Sequence, residues 1–215
     1  NVDIYGKLNF SMNIMDNQAD ANSDLQFTSN SSRIGFKGAE DLGGGLSAIW
    51  QIESQLNTGA GALANRNTFV GLKSASMGTL LMGRHDTPYK LATVKLDPFG
   101  DTVGDYNAII GSSSGTGASS LFDLRAAETV AYISPTFSGF NAAVAYVQQK
   151  NPETAATHDD LSAWSMVGMY ENGPLFASLA YEKHNNILAT GNGSATDPIS
   201  AWKAGLGFSF GNAKV

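Results

Sequence analysis

The sequence predicts an all-β chain, an antiparallel up-and-down β-barrel whose strands cross a membrane. Three observations carry that expectation. Over residues 2–14, Val2, Ile4, Gly6, Leu8, Phe10, Met12 and Ile14 fall on one side, and Asp3, Tyr5, Lys7, Asn9, Ser11 and Asn13 on the other. A period of two is a strand with one apolar and one polar face, and this stretch exceeds the roughly 9–11 tilted residues that cross a bilayer as β-structure. Short glycine-bearing turns then alternate with long polar loops, the asymmetry of a barrel whose two ends differ. Charged residues make up only 15% of the 215 positions, below the roughly 25% of soluble domains. A soluble β-sandwich also alternates, but its strands are shorter and its loops do not sort by length.

The elements follow in order. Strands are predicted near 2–15, 32–40, 46–56, 67–74, 79–86, 125–134, 139–149, 161–171, 174–184 and 199–210. Tight turns at 41–45, 74–78, 135–139, 171–174 and 210–213 separate alternate pairs. Long polar loops cover 17–31, 57–66, 87–123, 151–160 and 185–197. Facing patterns support several strands. Ala48, Trp50 and Ile52 share a parity, as do Trp164, Met166, Gly168 and Tyr170. In the last strand, Trp202, Ala204, Leu206, Phe208 and Phe210 oppose Lys203, Gly205, Gly207 and Ser209. Tyr5, Phe10, Tyr146, Tyr170, Tyr181, Trp202, Phe208 and Phe210 lie near strand ends, where aromatic girdles sit. Residues 79–84 break the rule: apolar side chains take both faces, and Leu80 and Met82 share a parity with Arg84. A strand buried on both sides, for example against a neighbouring subunit, accounts for that pattern.

Composition excludes several classes. The longest uninterrupted apolar run, residues 142–147, is far short of the ~20 residues of a spanning helix. Cysteine is absent, so disulfides and thiolate metal sites are excluded. A net charge of −6 argues against a nucleic-acid partner, which calls for a basic face. The amino terminus has no basic stretch followed by an apolar one, so the expectation is that any secretory leader has been removed. His85, His158 and His184 are scattered, and residues 115–117 (GTG) lack the context of a nucleotide-binding turn. No enzymatic activity, cofactor or metal is expected.

Specific segments then resemble Gram-negative general porins. These are residues 32–46 (SRIGFKGAEDLGGGL), 67–72 (NTFVGL), 77–84 (MGTLLMGR), 86–88 (DTP) and 97–107 (DPFGDTVGDYN). Arg125 through Pro135 and the Gly139–Phe140 pair complete the set. The matches lie in the family's order and cover nearly the whole chain. The resemblance, nearest to the trimeric β- and γ-proteobacterial type, implies a barrel of about 16 strands in the bacterial outer membrane. It also implies a homotrimer and passive diffusion of ions and small hydrophilic solutes. With ten strands and no terminal aromatic strand, residues 1–215 are expected to be one barrel domain incomplete at its carboxyl terminus, with a constriction loop at about 87–123.

By the same resemblance, the pore wall carries Arg33, Arg84 and Arg125, with Lys7 and Lys37 second in rank. The constriction loop carries Asp97, Asp101 and Asp105, with Tyr106 and Asn107 at its tip. A channel needs fixed charges at its narrowest point, and arginine stays ionised there. The first half of the loop is expected to be ordered inside the barrel and the Gly/Ser-rich stretch 111–117 more mobile. Three wall guanidinium groups predict a mild anion preference. Two alternatives remain: a substrate-selective porin, disfavoured because most aromatics take the outward parity, and a non-channel β-domain that binds protein or glycan.

Overall fold

A computed structural model of the chain describes residues 1–16, 23–57, 63–106, 122–149, 161–185, 187–188, 195–196, 198–211 and 213–214. Among them the backbone forms an 11-stranded antiparallel sheet. Its order is β1 (Val2–Lys7), β4 (Arg33–Gly43), β5 (Leu46–Gln55), β6 (Thr68–Ser74), β7 (Gly78–Asp86), β8 (Arg125–Ile133), β9 (Phe140–Gln149), β10 (Leu161–Asn172), β11 (Leu175–Asn185), β14 (Ile199–Phe210) and β15 (Ala213–Lys214). Two hairpins complete the strand set: β2 (Phe10–Asp16) with β3 (Ser23–Ser29), and β12 (Ile187–Leu188) with β13 (Ala195–Thr196). Successive strands pair as neighbours throughout the sheet, which is the predicted up-and-down meander. Asn107, the stretch 111–117 and His158 lie outside the described residues.

The first predicted strand is two strands. The apolar face runs on unbroken, with Ile4, Leu8, Met12 and Ile14 all exposed, but the hydrogen-bond ladder breaks at Leu8 and Asn9. There the buried Ser32 hydroxyl accepts from the Asn9 amide (2.9 Å) and donates to the Asn9 carbonyl (3.0 Å), so a side chain replaces a strand neighbour. The continuation, β2, turns back on β3, which lies within the expected loop 17–31. Met12 pairs with Phe27 and Ile14 with Leu25, and both partners are exposed on the same side. Two apolar residues among polar ones are too few for the period-two signal to mark β3.

Inside and outside separate cleanly on β11. Phe176, Ser178, Ala180, Glu182 and His184 are buried, and the residues between them are exposed or half-buried. Much of the inward face of β8–β11 is small: Ala131, Ala143, Ala145, Ala163, Ser165, Ser178 and Ala180 are all buried. Short side chains leave room for a segment to lie against the wall. The mixed-face β7 fits this picture. Leu80 and Met82 point outward, while Leu81, 2% exposed, packs inside against Ala131, Ala145 and Phe69. Its second apolar face is therefore lumenal packing within the chain. Tyr5, expected near a girdle, turns inward and donates to Glu53 (2.9 Å).

The β6–β7 turn illustrates how tightly one end of the barrel is drawn. Gly78 has φ 87°, and a Cβ there would lie 2.3 Å from the Ile133 carbonyl oxygen. Gly44, between β4 and β5, has φ 61° and open space around it. Gly44→Ala is therefore expected to cost about 1–2 kcal/mol of backbone strain alone, and Gly78→Ala distinctly more, because neighbouring backbone must move. Thermal unfolding of the two full-length variants in detergent, followed by circular dichroism, checks the order; equal midpoints would refute the crowding at Gly78.

Candidate functional site

After β7 the chain leaves the wall and runs along its inner face. Pro88 opens a one-turn helix α1 (Pro88–Leu91), where a missing amide costs nothing. Thr87 caps it, its hydroxyl accepting from the Lys90 amide. The Tyr89 amide donates to the Ser165 hydroxyl on β10 (2.9 Å), and the Ser178 hydroxyl on β11 donates to the Ala92 carbonyl (2.6 Å). Tyr89 and Ala92 are buried against Ala143, Val167 and Ala180. The small wall residues thus form the seat for α1.

A 3₁₀ turn (Val94–Leu96) leads into a compact loop tip knitted by its own aspartates. Asp97 accepts from the amides of Phe99 (2.8 Å) and Tyr106 (3.2 Å). Asp105 accepts from the Asp101 amide (3.0 Å). Asp101 adopts φ 59°, a left-handed conformation that aspartate tolerates better than most residues. Its carboxylate projects to the opposite part of the sheet, accepting from Lys7 Nζ on β1 and Arg33 Nη1 on β4, both at 3.0 Å. The Asn9 amide group donates to the Asp101 carbonyl (2.8 Å). Lys7 and Arg33 are direct partners across the β1–β4 ladder, which is why one carboxylate reaches both. Burial pushes the Asp101 carboxyl up, but the hydrogen bonds and charges of Lys7 and Arg33 outweigh it and hold the group below its ordinary value.

A second charge cluster lies where the loop leaves the wall. Asp86 meets Lys90 (3.1 Å) one helical turn on and Arg125 (3.2 Å) across the β7–β8 pair. Asn67 bridges them, donating to Asp86 (3.0 Å) and accepting from Arg125 Nε (2.8 Å). On β5, Glu53 holds Arg66 (2.5 Å) and the Tyr5 hydroxyl. Between loop and wall lies a cavity of about 530 Å³, lined among others by Arg33, Arg66, Lys90 and Arg125 with Asp86, Asp97, Asp101 and Asp105.

Arg33 and Arg125 and the three loop aspartates are thus gathered at one cavity. Lys7 touches it through Asp101. Lys37 instead lies over the Tyr5 ring, 5.4 Å from its centroid. Arg84 is not among the residues that line the cavity; its guanidinium donates to the Arg125 carbonyl on the neighbouring strand (3.4 Å). Arg66, Lys90, Glu53 and Asp86 join the site without having been expected there. The i,i+4 spacing of Asp86 and Lys90 is the one signal the sequence offers for them; Arg66 sits at the end of a loop with no pattern.

The returning limb of the loop is fastened on the far side. Asp123 pairs with Lys203 of β14, and the Lys203 ammonium lies 4.3 Å from the Tyr89 ring centroid. Phe122 packs edge-on to His184 (4.9 Å), and His184 Nε2 meets the fully buried Glu182 at 2.7 Å. Burial raises the Asp123 carboxyl above its ordinary value despite Lys203, with Glu182 adding to the rise.

Comparison with known proteins agrees with this architecture. The family model described as Gram-negative porin matches residues 1–215. An outer membrane porin protein of Bordetella pertussis is 35% identical over 183 residues, covering 78% of this chain and 46% of that protein. The outer membrane porin protein 32 of Delftia acidovorans is 31% identical over 192 residues, covering 86% and 52%. The chain spans about half the length of the curated relatives it matches. Among solved structures, the anion-selective porin from Comamonas acidovorans superposes with a TM-score of 0.81 at 26% identity, over 100% of this chain and 65% of that one. A loop-deletion mutant of the Vibrio cholerae outer membrane protein OmpT, at 19% identity and TM-score 0.69, shares the fold. From its full-length family match and its meander of outward-apolar strands, the chain belongs to the Gram-negative porin family of the bacterial outer membrane.

Proposed function

We propose that the chain is the greater part of one wall of a water-filled channel for passive diffusion of ions and small hydrophilic solutes. In this reading residues 1–215 are a single barrel domain, closed by further strands and assembled as a homotrimer. Unpaired strand edges in lipid are costly, and the chain spans only about half the length of its curated relatives. The constriction is the loop of about residues 87–123. The carrying observation is that this loop touches both parts of the sheet, at β10–β11 through Tyr89 and Ala92 and at β1–β4 through Asp101.

The eyelet groups on the wall are Arg33, Arg125 and Lys7, joined by Arg66 and Lys90; Lys37 is a more distant contributor to the field. Asp97, Asp101 and Asp105 supply the loop side. The Lys7–Asp101–Arg33 and Lys90–Asp86–Arg125 triplets each carry one more cation than anion, and Asp97 and Asp105 bring the charges of the site back into balance. What supports a mild anion preference is therefore the placement of the guanidinium groups on the fixed wall, the same sign as in the anion-selective porin from Comamonas acidovorans.

Reversal potentials of the full-length protein in a salt gradient test this directly. One charge removed about 8 Å from a permeating ion changes its energy by about 0.5 kcal/mol in water, roughly a twofold shift in permeability ratio. Arg33→Ala is expected to move selectivity toward cations by that amount, Asp101→Ala toward anions, and Arg84→Ala to leave it nearly unchanged. Clear cation preference in the unmodified channel would sink the reading.

A pH dependence follows from Asp101, which lies in the loop and not in a membrane-crossing strand. Its carboxyl is held below the ordinary value, so its contribution to loop docking is complete above about pH 4 and is lost as pH falls through the lower folded value. Current fluctuations in planar bilayers are expected to stay constant from about pH 8 to 5 and to rise only below about pH 4. Asp101→Asn is expected to be noisy already at neutral pH and to show no such acid step.

A further inference from the structure

The outward face of β9–β14 holds a feature that a diffusion channel does not need. Across the ladder its side chains form levels. Near the long-loop end one level is Tyr146, Trp164, Lys183 and Ser200, followed by Val144, Met166, Tyr181 and Trp202. Next come Ala142, Gly168, Leu179 and Ala204, a level with one side chain larger than a methyl group. The surface is therefore hollow there. A cavity of about 530 Å³ is bounded by Tyr132, Met166, Tyr181 and Trp202 and floored by Ala142 and Gly168. A second, of about 380 Å³, shares Gly168 and Leu179 and continues toward Phe140, Tyr170 and Ala177.

One ladder step above this hollow stands Lys183, exposed on the outward parity of β11. It has no hydrogen bond or ion pair among the described residues. The aromatic rings around it are paired: Tyr146 with Trp164 (centroids 4.9 Å apart) and Tyr181 with Trp202 (4.8 Å). Tyrosine and tryptophan with one apolar and one polar end belong at the boundary between headgroups and chains, which favours lipid over a second copy of the protein as occupant. From Lys183 to Ala177 the strand runs roughly 20 Å at ~3.4 Å per residue, room for an extended acyl chain. An outward cation at the headgroup end of an apolar hollow complements an anion that carries such a chain.

We infer that this hollow binds one acyl chain of a phosphate-headed lipid in the leaflet at the long-loop end, with Lys183 paired to the phosphate. Gly168 keeps the floor open. A Cβ there would meet only the Phe140 ring at 3.5 Å, an ordinary contact, so larger side chains fill the hollow before they strain the sheet.

The test uses the full-length porin in neutral detergent, titrated with phosphatidic acid bearing dibrominated chains, with tryptophan fluorescence as readout. Saturable quenching is expected, most of it absent in Trp202→Phe. Gly168→Leu is expected to raise the half-saturating concentration roughly tenfold, and Gly168→Ala less. Lys183→Gln is expected to weaken phosphatidic acid by roughly tenfold, the scale of one charge-assisted hydrogen bond, and to leave a dibrominated diacylglycerol unaffected. Quenching that rises linearly without saturation, that ignores Gly168→Leu, or that drops equally for both lipids in Lys183→Gln overturns the inference. So does a face shielded from both lipids by a second copy. Conductance and circular dichroism of each variant confirm a folded channel, so these outcomes are separable from failure of the channel reading.

Discussion

The bridge from Asp101 to Lys7 and Arg33 is the contact on which the rest of the interior depends. It joins the tip of a loop that leaves β7, in the middle of the sheet, to the strands at one edge of it. A polar loop left in solvent would gain little from these ion pairs, since exposed ones contribute about 0–1 kcal/mol. Here the pair is partly enclosed, and the loop is preorganised by its own Asp97 and Asp105. Little chain entropy then remains to be lost when the tip docks.

That docking explains features of the wall that look unrelated in the sequence. Alanine and serine crowd the inward face of β8–β11 because α1 occupies the space that larger side chains would fill. Ser165 and Ser178 are buried because the loop backbone needs partners where it meets the wall, and unpaired buried amides are costly. Lys203, Asp123, Glu182 and His184 form an ionic patch under the returning limb. A buried charge is tolerated only when paired, so this patch fixes where the limb can sit.

Much of the fold is legible in the sequence because a membrane barrel writes a simple code. Strands must hydrogen-bond to neighbours, and alternate side chains must meet lipid or water. Residues 46–56, 161–171 and 199–210 obey that code, and the strands found there match the expected ones within a few positions. The code fails where hydrogen bonding changes without a change of period. The break at Leu8–Asn9 depends on a serine hydroxyl twenty-three residues away in sequence, and β3 carries two apolar residues. The candidate site is legible in part for the same reason. Arg33, Arg125 and the loop aspartates stand in recognisable segments, whereas Arg66 and Glu53 meet only through folding. Arg84 shares its parity with the outward-facing Leu80 and Met82 and donates to the Arg125 carbonyl, so for this residue alternation and the family resemblance point different ways.

The most direct measurement is a double-mutant cycle between Asp101→Asn and Arg33→Gln in the full-length channel, read as low-frequency current noise in planar bilayers. If the loop is held across the lumen by this contact, each single variant raises the noise and the double variant is no noisier than either one. Additive effects, or single variants as quiet as the unmodified channel, would contradict the account.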